Sequence, residues 1–217
     1  MAKRRVDPDR RDRIIEATLD LIAAEGVAGT SHRKVAALAD VPLGSMTYHF
    51  AGMDELLHEA FTRFATRISD RFERRMNEAS TIDAVKEAVV EMIMQDTYGD
   101  RDALVLTLEL YTLAARQAKF RHLTHDWMMR SRRAFERYFD PDVARQLDAL
   151  VEGLSIHRAF EPRDDDRELV SNAVDKLLRE APLHPVAPSP VDASITFSDE
   201  LHPAVSMPVR RLRTSGG

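Results

Sequence analysis

Residues 30–50, TSHRKVAALADVPLGSMTYHF, contain two short helical patterns separated by a proline, and this arrangement constrains the fold more than any other feature. The apolar residues of the first pattern are Val35, Ala36, Leu38 and Ala39. Their helical spacing predicts that one face meets a core, and a hydroxyl of Thr30 or Ser31 can cap the first amides. Pro42 interrupts the pattern because proline is tolerated only in a first helical turn. The pattern therefore predicts a helix-turn-helix.

The second helix restarts at Leu43, and its two sides differ in polarity. Met46 and Phe50 lie four residues apart and form the predicted buried edge, whereas hydroxyl, phenol and imidazole groups occupy the other side. Such groups donate to phosphates or read base edges, so the pattern indicates a DNA-binding surface. The predicted DNA-binding residues are Thr30, Ser31, His32, Arg33 and Lys34 around the first helix and Leu43, Gly44, Ser45, Thr47, Tyr48 and His49 around the second.

This stretch resembles the DNA-binding domain of the tetracycline-repressor (TetR) family of bacterial transcriptional regulators. The second helix of that family typically runs glycine, threonine or serine, leucine, tyrosine, aromatic, histidine, phenylalanine. The matching residues here are Gly44, Ser45, Met46, Tyr48, His49 and Phe50. The resemblance extends upstream through a helix at residues 10–25 that ends at Gly26, and downstream past Asp54, so it covers about the first 60 residues. It implies a DNA-binding regulator, typically a repressor.

Two positions depart from the family pattern. Thr47 stands where the family usually has a tyrosine that touches phosphate, so we expect a shorter contact or none. Met53 stands where a lysine usually opens the next helix, which removes a cationic contact but leaves the free amides at that helix start. Both changes predict weaker binding to the DNA backbone and an unchanged fold.

The charge of the chain is unevenly distributed. Its net charge is −5, but residues 1–50 carry +1 and residues 51–181 carry −6. Positive charge gathers between Lys3 and Arg13, in an arm that either lies along the phosphate backbone or stays solvated. We expect the acidic body to help orient the weakly basic head on DNA.

Composition excludes several classes of protein. The absence of cysteine excludes disulfides, thiolate chemistry and cysteine-based zinc sites. No apolar run reaches the roughly 18 residues of a membrane span, and the basic N-terminus is followed by an amphipathic helix instead of a signal-peptide core. We therefore expect a soluble, cytoplasmic protein that does not associate with membranes.

Helical periodicity continues beyond residue 52, and no strand pattern competes with it. The sequence predicts an all-α fold: a three-helix N-terminal helix-turn-helix domain over residues 1–52, and a larger helical domain for effector binding and dimerisation over residues 53–181. Six of the ten prolines lie in the final 36 residues, which predicts a loosely ordered tail over residues 182–217 with no assigned function.

The resemblance further implies a homodimer formed by the last two long helices, here at about residues 141–160 and 165–180, and a small-molecule effector in the central body. Bulky residues suited to an effector pocket are Met92, Leu108, Tyr111, Trp127, Met128, Phe135 and His157. The same residue types at helical spacing are also typical of a plain core. Glu109, the one charge in residues 103–115, lies at solvent or in a salt bridge, the reading we favour, or in the pocket.

Other functions find less support in the residues. His122, His125 and Asp126 share a helix face, but nothing nearby supplies the further ligands that would complete a site, so we predict no metal and no cofactor. The chain lacks a serine elbow, a zinc-binding His-Glu-x-x-His helix, a phosphate-binding glycine loop and a dinucleotide fingerprint. An enzyme is therefore disfavoured, a helical adaptor that binds another protein remains an alternative, and the expected partner is a near-palindromic DNA operator.

Overall fold

A computed structural model of the chain describes residues 9–96 and 101–179. These ranges contain helices and turns and no β-strand, which confirms the predicted all-α fold. The elements are α1 (Arg10–Gly29), α2 (His32–Leu38), α3 (Gly44–His49), α4 (Met53–Glu78), α5 (Ile82–Glu91), a π-helical turn (Met92–Asp96), α6 (Arg101–Arg116), α7 (Ala118–Glu136), α8 (Pro141–Phe160) and α9 (Asp166–Leu178). Within the same ranges, no helix is long and apolar enough to cross a membrane.

Side-chain caps fix several of the helix starts. The hydroxyl of Ser31 accepts a hydrogen bond from the amide three residues later (3.4 Å) and so caps α2. Thr30, the other candidate cap, instead donates its hydroxyl to the carbonyl of Gly26 (2.9 Å). At α8, Asp140 accepts from the next two free amides (2.9 and 3.0 Å), and Pro141 occupies the first helical position, where its missing N–H costs nothing.

The turn between α2 and α3 begins with a left-handed residue. Asp40 has a φ of 51°, the amide of Val41 donates to the carbonyl of Ala36 (3.0 Å), and the amide of Asp40 donates to that of Ala37 (3.3 Å). This pair of bonds is the Schellman motif, which ends a helix and satisfies its last carbonyls. The chain therefore leaves α2 before it reaches Pro42, and the turn depends on Asp40 as well as on the proline.

Two hydrophobic clusters organise the molecule. The first joins α1, α2 and α3 to the first half of α4 and to parts of α6 and α7, and the second joins the end of α4 to α5, α8, α9 and the end of α7. Because α4 and α7 contribute to both clusters, the N-terminal helices rest directly on the helical body. The helix α4 begins at Met53, beside the domain boundary predicted at residue 52, which stays a prediction, and the tail over residues 182–217 lies outside the described residues.

Leu38 corrects one detail of the predicted core. It is 54% exposed, whereas Val35, Ala36 and Ala39 are buried. At about 100° per residue, Leu38 points roughly 100° away from the centre of the face that those three residues share. The helix is only seven residues long, so its buried face is narrow and excludes Leu38.

Ion pairs attach α1 to α4. The guanidinium of Arg63 donates to Glu16 (3.0 Å) and to Asp12, and Arg67 also donates to Glu16. The hydrogen bond from Arg63 lowers the pKa of Asp12. Burial acts to raise the pKa of Glu16, but the hydrogen bonds from Arg67 and Arg63 outweigh it and lower that pKa. These contacts hold the helix that supports α2 and α3 against the long helix of the body.

Candidate DNA-binding surface and effector pocket

The helix α3 has a buried side and an outward side. Met46 and Phe50 are fully buried, as predicted. Ser45 differs from the prediction, because only 7% of it is exposed although it was placed on the outward side. The buried face of α3 spans more than the Met46 edge, since at about 100° per residue Ser45 and half-buried His49 flank that edge on one side. Ser45 can therefore reach DNA only through its backbone.

Thr47 and Tyr48 form the outward face of α3, together with Gly44. Tyr48 is 83% exposed, and its ring meets the His49 imidazole edge-on at 4.9 Å, so the phenol hydroxyl projects away from the protein. The hydroxyl of Thr47 donates to the carbonyl of Gly44 (3.3 Å). A Cβ atom placed on Gly44 would meet nothing within 4 Å, and neighbouring Leu43 is exposed as well. The outward face is thus open to a large partner.

The predicted residues at the start of α2 are not equally available. Lys34 pairs with Glu25 (2.5 Å) and donates to the carbonyl of Gly29 (2.9 Å), which ties α2 to the end of α1. His32 is half-buried, and its Nε2 has no hydrogen-bond partner within the described ranges. Arg33 is exposed and forms no ion pair with any described residue. It is therefore the side chain of this group with most freedom to reach a base or a phosphate.

Arg11, one of the basic residues at the start of α1, is held against the protein surface. Arg11 pairs with Glu59 (2.7 Å), and its guanidinium lies 5.2 Å from the centre of the Phe50 ring. This contact places a cation beside the buried edge of α3. The remainder of the predicted basic arm, including Lys3, lies outside the described residues.

A pocket of about 440 Å³, counted with its open mouth, lies in the body between α4, α6, α7 and α8. Three of the predicted pocket residues line it, namely Tyr111, Trp127 and Met128. The other predicted residues lie elsewhere: Met92 and Phe135 are buried in the second cluster, while Leu108 and His157 are exposed. Sequence reasoning missed six lining residues, which are Ile68, Phe72, Ser131, Asp148, Val151 and Glu152.

Asp148 is the pocket residue for which the sequence held a signal. It interrupts the apolar side of α8, where Ala144, Leu147 and Val151 are buried, and a charge in such a position needs an explanation. Its carboxylate accepts from Arg132 (3.0 Å). Burial nevertheless raises the pKa of Asp148 to about 6, Arg132 opposes that rise, and Glu152 adds to it.

Other candidate residues lie outside the pocket. Glu109 is half-buried on α6 against α1, where a Cβ atom on Gly26 would lie 2.7 Å from its Oε1 atom. Gly26 has a φ of 72° and bends α1 at the place where the sequence predicts its end, although one further turn follows. His122 does not line the pocket, and no group of three metal-binding side chains occurs among the described residues.

Comparisons with known proteins cover both parts of the molecule. Residues 14–60 match the bacterial regulatory proteins of the tetR family, and residues 80–180 match the tetracyclin repressor-like C-terminal domain. The crystal structure of the transcriptional regulator SCO7518 from Streptomyces coelicolor A3(2) aligns with 51% identity over 78% of this chain and 98% of that chain, with a TM-score of 0.74. The multidrug binding protein EbrR complexed with ethidium aligns with 32% identity over 79% of this chain and 99% of that one, with a TM-score of 0.67.

A curated relative agrees with these structures. The HTH-type transcriptional regulator PksA of Bacillus subtilis (strain 168) is 26% identical over 180 residues, which is 76% of this chain and 86% of that protein. The helix-turn-helix and the helical body that carries it define a DNA-binding transcriptional regulator. The chain belongs to the TetR family of such regulators. Members of this family bind DNA and are not enzymes, which excludes an all-α enzyme.

Proposed function

We propose that this chain is a cytoplasmic, ligand-responsive repressor that binds a near-palindromic operator as a homodimer. The observation that carries the proposal is the polarity of α3, where buried Met46 and Phe50 hold exposed Tyr48 toward solvent. In this assignment residues 1–52 form the DNA-binding domain, residues 53–181 bind the effector and the second subunit, and the tail over residues 182–217 is assigned no function. DNA-bound regulators of this type work by occupying their operators, so effector binding must change operator affinity.

The DNA contacts follow from the geometry of α2 and α3. With α3 in the major groove, Thr47 and Tyr48 face phosphates or base edges, and Gly44 lets the backbone approach closely. Arg33 reaches the groove from the start of α2. Two such heads in a dimer meet successive major grooves, so the half-site centres lie about 34 to 36 Å apart or a multiple of that.

An apolar stripe on α8 supports dimerisation through α8 and α9. Ala149, Gly153, Ile156 and Phe160 follow one another at intervals of four, three and four residues on the side of α8 that faces away from the core. Phe160, the last residue of α8, is 68% exposed, and Leu169 near the start of α9 is exposed as well. Exposed apolar patches of this kind mark protein interfaces. A second copy of the chain would bury this stripe against its own counterpart.

A small molecule in the pocket between α4, α6, α7 and α8 supplies the effector response in this proposal. The pocket is lined by nine residues of these four helices, mostly apolar or aromatic with a few polar groups, which is the usual make-up of a ligand site. The similar protein EbrR is a multidrug binding protein whose structure contains ethidium, which supports a ligand-binding role for the body. Because α4 and α7 also pack against the N-terminal helices, a ligand between them can influence the head.

Operator binding is tested with the full-length protein and the DNA upstream of its own gene. We expect a specific complex that weakens steeply as salt rises, because phosphate contacts release counterions. Tyr48→Ala should weaken binding to every sequence, and Tyr48→Phe should weaken it to a similar extent, because both remove the phenol hydroxyl. If the wild-type protein binds this duplex no better than an acidic control protein does, the proposal fails and the adaptor alternative gains support.

Dimerisation is tested by sedimentation of the Ile156→Glu, Phe160→Glu double variant. Two carboxylates in the apolar stripe should convert a dimer into a folded monomer, because buried, unpaired charges cost far more than the contact returns. Ala115→Glu, which changes an exposed residue of α6, is the matched control and should remain dimeric. A wild-type monomer, or a double variant that sediments as a dimer, contradicts this part of the proposal.

A further inference from the structure

The pocket in the body has rigid aromatic walls. Phe72, Tyr111 and Trp127 line it from three different helices, and the rings of Tyr111 and Trp127 lie 6.2 Å apart at a tilt of 41°. Phe64 packs edge-on against Trp127 at 5.8 Å, and Phe135 packs edge-on against Phe72 at 5.0 Å. These supporting rings hold the aromatic walls in place, so a planar guest loses little freedom in ordering them.

The same pocket contains an excess of negative charge. Asp148 and Glu152 lie one turn apart on α8 and both line the cavity, whereas no Lys, Arg or His lines it. Arg132, behind the wall, pairs with Asp148 and is the only cation that contacts either carboxylate within the described ranges. The charge of one guanidinium therefore opposes the charges of two carboxylates. The raised pKa of Asp148 reflects the same imbalance, since Arg132 does not offset the cost of burial.

We propose that this pocket selects a lipophilic aromatic monocation, held between Phe72, Tyr111 and Trp127 with its positive charge toward Asp148 and Glu152. Aromatic faces attract cations through the ring quadrupole, and the carboxylates add an unscreened attraction once water is displaced. A neutral guest would bury the carboxylates further without compensation, and an anion would be repelled. The role of this cation as the effector depends on the proposed function, but its binding does not.

Two ligands that differ only in charge provide the test. N-methylquinolinium and 1-methylnaphthalene share a fused bicyclic skeleton and a methyl group at the same place, and the charge of the first does not depend on pH. Titration calorimetry at pH 8 should show the cation binding about tenfold more tightly than the hydrocarbon, and 1-naphthoate binding more weakly than both. Trp127 is the only tryptophan of the chain, so quenching of its fluorescence by the cation locates the ligand in this pocket.

Single substitutions separate charge from shape. Glu152→Gln keeps the size of the side chain and breaks no ion pair with a described residue, so it should fold normally and lower the cation affinity about tenfold while the hydrocarbon affinity stays unchanged. Asp148→Asn should act in the same direction and keeps an oxygen that can accept from Arg132. Glu136→Gln, which changes an exposed carboxylate of α7 outside the pocket, is the matched control and should leave both affinities unchanged.

These experiments distinguish a failure of charge selection in the pocket from a failure of the proposed regulator function. Hydrocarbon binding as tight as cation binding, or a Glu152→Gln variant that keeps its preference for the cation, overturns charge selection while operator binding by the ligand-free protein can still stand. Cation binding at Trp127 by a protein that ignores its operator supports this inference and overturns the regulator. Release of operator by the cation, lost in Glu152→Gln, supports both.

Discussion

The proposed DNA-binding surface and the proposed effector pocket are built in opposite ways. The surface comes from consecutive residues between Thr30 and Phe50, within two short helices and one turn. The pocket comes from four helices, and its lining residues extend from Ile68 to Glu152. In the first region helical spacing predicts which side chains face inward with few exceptions, whereas in the second the packing of distant helices decides it. Local patterns therefore describe the head far better than the body.

The two regions also differ in how they treat polar groups. In the head, the polar side chains Thr47 and Tyr48 lie outside the apolar edge formed by Met46 and Phe50, so the proposed DNA contacts use different atoms from those that stabilise the fold. In the body, Asp148 is largely buried and paired with Arg132, so the proposed ligand contact uses a carboxylate that also affects stability. Substitutions should therefore separate stability from function in the head and couple them at Asp148.

Phe50→Ala should give the largest loss of stability. Phe50 is 2% exposed, and removing a buried phenylalanine ring costs about 3 to 5 kcal/mol because it leaves a cavity in the core. Thermal or denaturant unfolding of the purified variant measures this loss. Comparison with exposed Tyr48, two residues earlier, makes the test specific to the buried ring.

Tyr48→Ala is the matched control for that change. Its ring is exposed, so the free energy of unfolding should change by less than about 0.5 kcal/mol even though operator affinity falls. An unfolding midpoint that stays at the wild-type value in Phe50→Ala would remove Phe50 from the core. A midpoint that drops in Tyr48→Ala would show that folding and DNA binding share atoms in the head.

The helix-turn-helix could be predicted almost completely from the sequence. Met46 and Phe50 are buried and Tyr48 is exposed because a spacing of four residues fixes a helix face. The prediction misplaces Leu38, because the buried face of α2 is narrow, and Ser45, because the buried face of α3 is broader than its Met46 edge. The left-handed conformation of Asp40 was not predicted, because aspartate adopts it only occasionally and the adjacent proline offered a sufficient reason for the turn.

The pocket was predicted only in part, for a physical reason. Tyr111, Trp127 and Met128 line it, but Phe135 has the same residue type and spacing and lies in the second cluster. A bulky residue on a helix faces a cavity or a packed neighbour according to crossings between helices that are distant in sequence. The charge of Asp148 on an apolar face was the one signal that spacing could have provided.

A change of pH should reveal the buried carboxylate of the body. The pKa of Asp148 is raised from 3.8 in the unfolded chain to about 6 in the native state, so between these values the native protein keeps a proton that the unfolded chain has released. The free energy of unfolding should therefore fall as pH rises through this window, by roughly 3 kcal/mol from this group, and level off above it.

Asp148→Asn isolates this contribution, since Asp12 and Glu16 have lowered pKa values and act in the opposite direction at lower pH. Urea unfolding of both proteins at intervals from pH 4 to pH 8 gives the comparison. The difference in stability between the wild type and the variant should slope downward as pH rises to about 6 and then become constant. Parallel stability curves would mean that burial does not raise the pKa of Asp148 in the native state.

Gly26→Ala should lower the free energy of unfolding by about 2 kcal/mol, because it strains the junction between α1 and α6. This loss is smaller than those expected for Phe50 and Asp148. With φ 72° and ψ 171°, Gly26 occupies a region that is almost exclusive to glycine, and its new Cβ atom would lie 2.7 Å from the Oε1 atom of Glu109. Gly44→Ala is the matched control, because its Cβ atom would meet nothing within 4 Å. In a Glu109→Ala background, a loss that persists assigns the strain to the backbone, and a loss that disappears assigns it to the carboxylate.

Arg33→Ala and Lys34→Ala should have the smallest effects on stability. The two variants should differ in how they change the base preference of DNA binding. Lys34 is in an exposed ion pair with Glu25 that is worth about 0 to 1 kcal/mol, and Arg33 has no ion pair with a described residue, so unfolding should barely change in either variant. Arg33 has a free guanidinium that can read guanine, so its loss should relax preference at particular base pairs by about 1 to 3 kcal/mol. Binding-site selection with both variants measures this, and an Arg33→Ala logo identical to the wild-type logo would exclude direct readout by this side chain.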